Sequence, residues 1–265
     1  MAKLGFIGTG NMGGALAIAA AKNPENELML SNRHREKAET LADSIGGTVT
    51  DNVNIADSAD YIFLGVKPQM LDEMAKEIRD TLKKRKSPFV IVSMIAGKTM
   101  EEVRRALGGE YALIRILPNI PVKIGEGIIL WDRNAKLSEK QLEGFLSAMK
   151  YAGLLSEIGE GQMDAASCIS GCGPAYAAMF IEALADGAVT CGLPRAKAME
   201  YAAQMVSGTA KLLLETGQHP GQLKDAVCSP GGTTIQGVRA LEKNGFRSSV
   251  TEAVIASFEK TVNLG

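Results

Sequence analysis

Residues 3–14, KLGFIGTGNMGG, constrain this chain more than any other stretch. Leu4, Phe6 and Ile7 predict a short buried strand, and residues 12–21 predict a helix directly after it. Between them Gly8, Gly10 and Gly13 stand in GxGxxG spacing. A strand that turns into a helix through such glycines suits a dinucleotide. The first glycine permits a tight turn, the second lets a pyrophosphate approach the backbone, and the third lets the helix pack closely on the strand. The helix N-terminus then directs free N–H groups at the phosphates. Thr9, Asn11 and Met12 lie in the same loop and join the glycines as cofactor-binding candidates.

The motif alone is common, and the pattern of the chain beyond it gives it weight. Strands are predicted over residues 27–31, 47–49, 60–66, 89–94, 111–117, 128–131 and 154–158. Helices over 35–45, 99–107 and 138–150 alternate with them, as does one opened by Pro68 with Leu71, Met74, Ile78 and Leu82 on one stripe. Such alternation implies a doubly wound, mostly parallel α/β sheet of the Rossmann kind, with ligands beyond the carboxyl ends of the strands. Past about Gly161 the pattern changes to helices at 162–189, 194–215, 233–244 and 248–262, the first interrupted at Gly171–Pro174. Two domains are expected: 1–160, binding the dinucleotide, and 161–265, all-helical. The helical part is apolar on more than one face, which predicts a homodimer built from it.

Composition narrows the class. The 265 residues carry a net charge of −1, which speaks against nucleic acid or an anionic membrane surface as partner. No apolar run approaches the roughly 20 residues that span a bilayer. Lys3 and the alanine-rich stretch to Ala21 faintly resemble a signal peptide, but the glycine loop interrupts it, so a cytoplasmic protein is expected. Four cysteines without a CxxC pair, and only two histidines, predict reduced thiols and no metal site.

An NAD-specific site usually places Asp or Glu at the end of the second strand. Here that position reads Ser31-Asn32-Arg33, small donors and a fixed cation that suit a 2′-phosphate, so NADPH is favoured with NADH possible. The alternative is a solvated charged turn over Arg33, His34 and Arg35. Other candidates at predicted strand ends are Val66, Lys67, Pro68, Ala96, Gly97 and Asn119. Lys67 reads equally as a solvated turn lysine, and Asn52 equally as a cofactor contact or a helix N-cap.

Residues 224–235, KDAVCSPGGTTI, are unusual within a helical domain. Pro230 and two glycines break one helix and Thr233 restarts the next. The break forms a compact loop of N–H groups and hydroxyls suited to a carboxylate, or else an ordinary turn capped by Thr233.

Taken together these stretches resemble the pyrroline-5-carboxylate reductase family. The resemblance is carried by GFIGTGNMG at 5–13, SNR at 31–33, VKPQ at 66–69, RILPNIP at 115–121, SGCGPAY at 170–176 and SPGGTTI at 229–235. It implies reduction of 1-pyrroline-5-carboxylate to L-proline by a nicotinamide cofactor, in a homodimer whose helical domains interlock, with dimers often joined in rings. It further implies that Ser229, Gly231, Gly232 and Thr233 hold the substrate carboxylate, with the catalytic Thr234 hydroxyl near the ring nitrogen. Cys172 stands where the family commonly has Ser, and Ile120 where it often has Thr. A β-hydroxyacid dehydrogenase is disfavoured, since Ala177 occupies the position of its catalytic lysine. A non-catalytic NADP-binding regulator is the rival from another class.

Overall fold

The computed structural model describes residues 1–263. It divides into two compact units, one of residues 1–171 with the segment from Lys260, the other Cys172–Glu259.

The first unit is built on an eight-stranded sheet: β1 (Ala2–Ile7), β2 (Asn26–Ser31), β3 (Thr48–Val49), β4 (Tyr61–Leu64), β5 (Val90–Ser93), β6 (Ala112–Pro118), β7 (Gly127–Arg133) and β8 (Gly153–Glu157), in the order β3-β2-β1-β4-β5-β6-β7-β8. All neighbours are parallel except β6 and β7. From β1 the chain builds outward through β2 and β3, then returns to the other side of β1 with β4. That reversal opens a crevice beyond the carboxyl ends of β1 and β4.

The strands bury both faces, which is why they read as continuous apolar runs. Leu4, Phe6, Phe63, Val92 and Ile114 point into one layer; Ile7, Ile62, Leu64, Ile91 and Leu113 point into the other. Phe6 and Phe63 stack across β1 and β4 with ring centroids 4.4 Å apart. Helices α1 (Asn11–Ala21) and α2 (Arg35–Ile45) cover the first layer. The second is covered by α3 (Asn52–Ser58), α4 (Leu71–Lys84) and α5 (Met100–Leu107). On α4 the stripe Leu71, Met74, Ile78 and Leu82 is buried as its spacing predicts, each side chain contributing about 1.5–3 kcal/mol.

Within the sheet unit two features differ from the sequence reading, and in the second unit the helix Pro220–Val227 is a further one that it does not contain. Helix α3 is absent from it, because a seven-residue helix with only Ile55 and Ala56 buried carries too little periodicity to detect. Its close packing is enforced by Gly5, where a Cβ would lie 2.3 Å from Ile55 Cγ2. β7 runs antiparallel to β6, because the chain returns through a short 3-10 turn (Ile120–Ile124) and Gly125, at φ +86°, rather than through a crossover helix. Parallel pairing resumes at β8 through α6 (Glu139–Ala148).

Helix α7 (Glu160–Ser170) belongs to the sheet unit and is tied to it by charge. Arg115, 4% exposed on β6, pairs with Glu160 at 3.2 Å and Asp164 at 3.6 Å, and the Glu160 N–H donates to Asp132 at 2.6 Å.

The second unit contains α8 (Gly173–Thr190), α9 (Arg195–Thr216), α10 (Pro220–Val227), α11 (Thr233–Lys243) and most of α12 (Phe246–Val262). The Tyr176 hydroxyl ties α8 to α12, donating to the Ala253 carbonyl at 3.1 Å and pairing with the Ser257 hydroxyl. Among its described residues only Ala185, Ala198 and Ala202 are fully buried apolar side chains. By length and composition the stretch Glu160–Thr190 is long and apolar enough to cross a membrane. The sequence reading counted no such run, because Gly171 and Cys172 split the stretch into α7 and α8 and acidic residues punctuate it.

Candidate active site

The glycine loop is shaped by contacts that exclude side chains. Gly8 has φ +98°, and a Cβ there would lie 2.6 Å from the Gly65 carbonyl at the end of β4. A Cβ at Gly13 would lie 2.1 Å from the Gly8 carbonyl, so this glycine lets α1 start against the turn. Gly10 is different. It is the N-cap of α1, its φ of −73° suits any residue, and a Cβ there would meet nothing within 4 Å. The fold itself does not require glycine at this position, which leaves room for a group to approach the loop backbone. No side chain caps α1 and its first turn carries no acid, so the leading N–H groups and the helix dipole are available to an anion.

A cleft of about 930 Å³ opens from this loop between the ends of β1, β2 and β4. Of the cofactor candidates, Gly8, Gly10, Ser31, Asn32, Arg33, Asn52, Val66 and Lys67 line it. The N–H groups of Gly8 and Thr9 donate to the Ser31 carbonyl at 2.9 and 3.2 Å, which locks the glycine loop to the end of β2. Asn32 Nδ2 donates to the buried Thr9 hydroxyl at 3.1 Å. Arg35 pairs with Glu39 at 2.8 Å, whereas Arg33 has no ion-pair partner among the described residues. A free guanidinium in the cleft wall is a group that a 2′-phosphate can engage in two parallel hydrogen bonds. The glycine cradle, the uncapped helix and this cation fit a phosphorylated dinucleotide.

The remaining cofactor candidates do not line this cleft. Asn11 and Met12 form the first turn of α1, and Met12 packs against the core. Pro68 starts a 3-10 turn after Lys67, and Ala96 and Gly97 form a turn past β5, with Gly97 at φ +66°. Asn119 is committed to the fold: Nδ2 donates to the Ser170 carbonyl and Oδ1 accepts from the Ile128 N–H, both at 2.8 Å. Asn52 is not an N-cap. Asp51 caps α3 by accepting from the Asn54 N–H, which frees Asn52 to face the cleft. The sequence reading passed over Glu77, which accepts from Asn52 across the cleft wall at 2.7 Å. It lies one turn from Glu73 on the polar face of α4, where in the sequence its carboxylate looks like any solvated one.

In the second unit the candidate substrate loop comes together at one helix end. Gly231 has φ +69°, which turns the chain after Pro230. Gly232 is the N-cap of α11, and its N–H donates to the Ser229 carbonyl at 3.0 Å. A Cβ on Gly232 would fall 2.2 Å from Ser229 Oγ, so the serine hydroxyl lies over the start of the helix. Thr233 and Thr234 are its first two residues, and no side chain caps it. Three hydroxyls and uncapped N–H groups thus share one exposed end, a suitable seat for a carboxylate. Lys224 supplies no free charge, because Asp225 pairs with it at 2.6 Å and holds its ammonium above the ordinary value. Among the described residues no group of three or more His, Cys, Asp or Glu side chains is placed to hold a metal ion.

The mostly parallel sheet with its switch-point cleft defines a dinucleotide-binding protein of the Rossmann class. Residues 160–264 match the family model for pyrroline-5-carboxylate reductase dimerisation, and residues 3–97 the one for NADP oxidoreductase, coenzyme F420-dependent. The chain is 40% identical over 266 residues to pyrroline-5-carboxylate reductase of Escherichia coli, covering 99% of this chain and 98% of that one. It is 39% identical to the same enzyme of Synechocystis, again over 99% of this chain and 98% of the relative. Among solved structures, the Streptococcus pyogenes reductase is similar with a TM-score of 0.87 at 31% identity, covering 99% of both chains. The Plasmodium falciparum reductase with NADP bound gives 0.85 at 31% identity, covering 98% of this chain and 97% of that one. The chain belongs to the pyrroline-5-carboxylate reductase family.

Proposed function

We propose that the protein reduces 1-pyrroline-5-carboxylate to L-proline, the last step of proline synthesis, using NADPH with NADH as an alternative donor. The observation that carries this is the match along the whole chain to reductases of that name at 40% identity. The two ligand-shaped regions, a dinucleotide cradle and a carboxylate-shaped helix start, support it independently.

Gly8, Gly10 and Gly13 with the N-terminus of α1 hold the pyrophosphate, and Ser31, Asn32 and Arg33 hold the adenosine ribose and its phosphate. When bound, the nicotinamide supplies a hydride to the imine carbon. A protonated cyclic imine is already electrophilic, so the chain's task is position and field. Ser229 and the N–H groups at Gly231 and Thr233 hold the substrate carboxylate, with Gly232, whose own N–H is held by the Ser229 carbonyl, shaping the seat between them. The Thr234 hydroxyl orients the ring nitrogen and hydrogen-bonds it as it becomes an amine.

The working particle is a homodimer through the helical unit, with a ring of such dimers as the larger assembly. The protein acts in the cytoplasm, a reading supported by four free cysteines. The deciding assay is oxidation of NADPH by the purified protein with pyrroline-5-carboxylate, followed by the absorbance that only the reduced nicotinamide has, with proline quantified as product. Stoichiometric proline is the expected result. Binding of NADPH without turnover points to a regulator, and turnover of β-hydroxyacids instead points to a dehydrogenase.

A further inference from the structure

One wall of the cleft carries a chain of hydrogen bonds whose direction is dictated by its last member. The Ser31 hydroxyl donates to Asn52 Oδ1 at 2.7 Å, and Asn52 Nδ2 donates to Glu77 Oε2 at 2.7 Å. A carboxylate has no hydrogen to give, so the group Asn52 turns toward Glu77 must be its NH2. The amide oxygen is then left facing Ser31, and it can only accept. Ser31 must give it the one hydroxyl hydrogen it has. What Ser31 offers the cleft is therefore a pair of lone pairs. Its place is the last residue of β2, where NAD-binding sheets of this kind carry the acid that accepts from the ribose 2′-hydroxyl.

We propose that Glu77 is a positioning residue for cofactor choice: acting through Asn52, it makes the Ser31 hydroxyl an acceptor for the 2′-hydroxyl of the adenosine ribose. The β2 acid missing from the sequence is replaced by an acid on α4 that acts at one remove. The cleft then holds two readers two residues apart. Ser31 serves the 2′-hydroxyl that NADH presents, and unpaired Arg33 serves the 2′-phosphate of NADPH. A phosphate oxygen is itself an acceptor and gains nothing from Ser31 so oriented. This inference rests on the cleft being the adenosine end of the cofactor site.

The test uses the full chain and two fragments, 5′-AMP and adenosine 2′,5′-bisphosphate, with dissociation constants from calorimetry. A glutamine at 77 presents either a carbonyl or an NH2, so Asn52 can turn over and Ser31 can donate. Glu77→Gln is expected to shift the affinity ratio toward the 2′-phosphorylated fragment by about five-fold or more, the range of one hydrogen bond. Glu73→Gln removes the same charge from the same cleft without touching Asn52, and its shift should stay under about two-fold. In a Ser31→Ala background, Glu77→Gln should likewise shift the ratio by less than about two-fold, since the group it acts through is gone. Equal shifts from Glu77→Gln and Glu73→Gln, or a Glu77→Gln shift that survives Ser31→Ala, would mean that charge alone is at work and overturn the relay. No shift from Glu77→Gln overturns it too. If neither fragment binds, or Arg33→Ala leaves both affinities unchanged, the adenosine-site reading itself fails and the relay with it.

Discussion

Arg33 and Arg35 stand two positions apart and differ in what already holds their charge. Arg35 is bound to Glu39, and Arg33 faces the cleft without a partner among the described residues. Arg33→Ala should therefore raise the Michaelis constant for NADPH by about 10- to 100-fold, or ~1.5–3 kcal/mol, with a much smaller effect for NADH. Initial-rate kinetics with both cofactors checks this; equal effects would return Arg33 to the solvated turn. The hydroxyls at the start of α11 separate in the same way. Thr234→Val keeps the shape and removes a contact made as the nitrogen changes, so turnover should fall with little change in NADPH affinity. Ser229→Ala loosens a carboxylate contact present before and during reaction, and should mainly raise the Michaelis constant for the imine. Melting temperatures of both variants serve as the folding control.

At the scale of elements, caps explain where helices begin. Thr99 and Glu102 form a reciprocal capping box on α5, and Ser138 and Gln141 form one on α6. Hydrogen bonds from Lys98 first, and from the Thr99 backbone second, hold the Glu102 carboxyl at about 2 against an ordinary value of 4.5. A depressed carboxyl stabilises the fold above its unfolded value and loses that contribution as pH falls through its folded one. Glu102→Gln keeps the cap but loses the ionic attraction to Lys98. Wild type should exceed it in urea midpoint at pH 7, by no more than about 1 kcal/mol because the pair is solvent-exposed. The gap should shrink as pH falls below about 4.5 and be nearly closed near pH 2. A gap independent of pH would show that the charge contributes nothing. Elements also account for residues of the other motifs: in RILPNIP, Arg115 holds α7 to the sheet and Asn119 clamps β7, and in SGCGPAY, Tyr176 ties α8 to α12.

For the molecule as a whole, the two units differ in how well they satisfy themselves. The sheet unit buries large side chains on both faces, including Phe6, Phe63 and Phe145. The helical unit buries only three alanines among its described residues, while Met179 is 70% exposed and Leu214 is 82% exposed. A unit of that size cannot offset its ordering entropy with so little buried apolar surface, so other surface must cover it. Sedimentation at micromolar concentration should give a particle of at least twice the 28.0 kDa chain. The melting temperature should fall on dilution, since association stabilises by mass action. A single species of chain mass with a concentration-independent melt would sink the dimer.

The glycine spacing, the apolar runs and the Pro-Gly break were legible in the amino-acid order because each is a local rule. Periodicity marks a buried face, and a positive φ or a close backbone approach demands glycine wherever the chain goes next. Those rules located the glycine loop, the mostly parallel sheet, the helix start at Thr233 and the change to helices. Only the tertiary structure decided the rest, because it depends on partners distant in sequence. Asn52 reads equally as a cap or a cofactor contact until Asp51 is seen to take the capping place, and the solvated-turn alternative for Arg33 stands until Glu39 is seen to pair with Arg35 and not with Arg33. Glu77, 46 positions beyond Ser31, enters the cleft because α3 packs on Gly5 and α4 returns across the sheet. The direction of a hydrogen bond belongs to no single residue, and it was set only when the fold brought a carboxylate, an amide and a hydroxyl into one line.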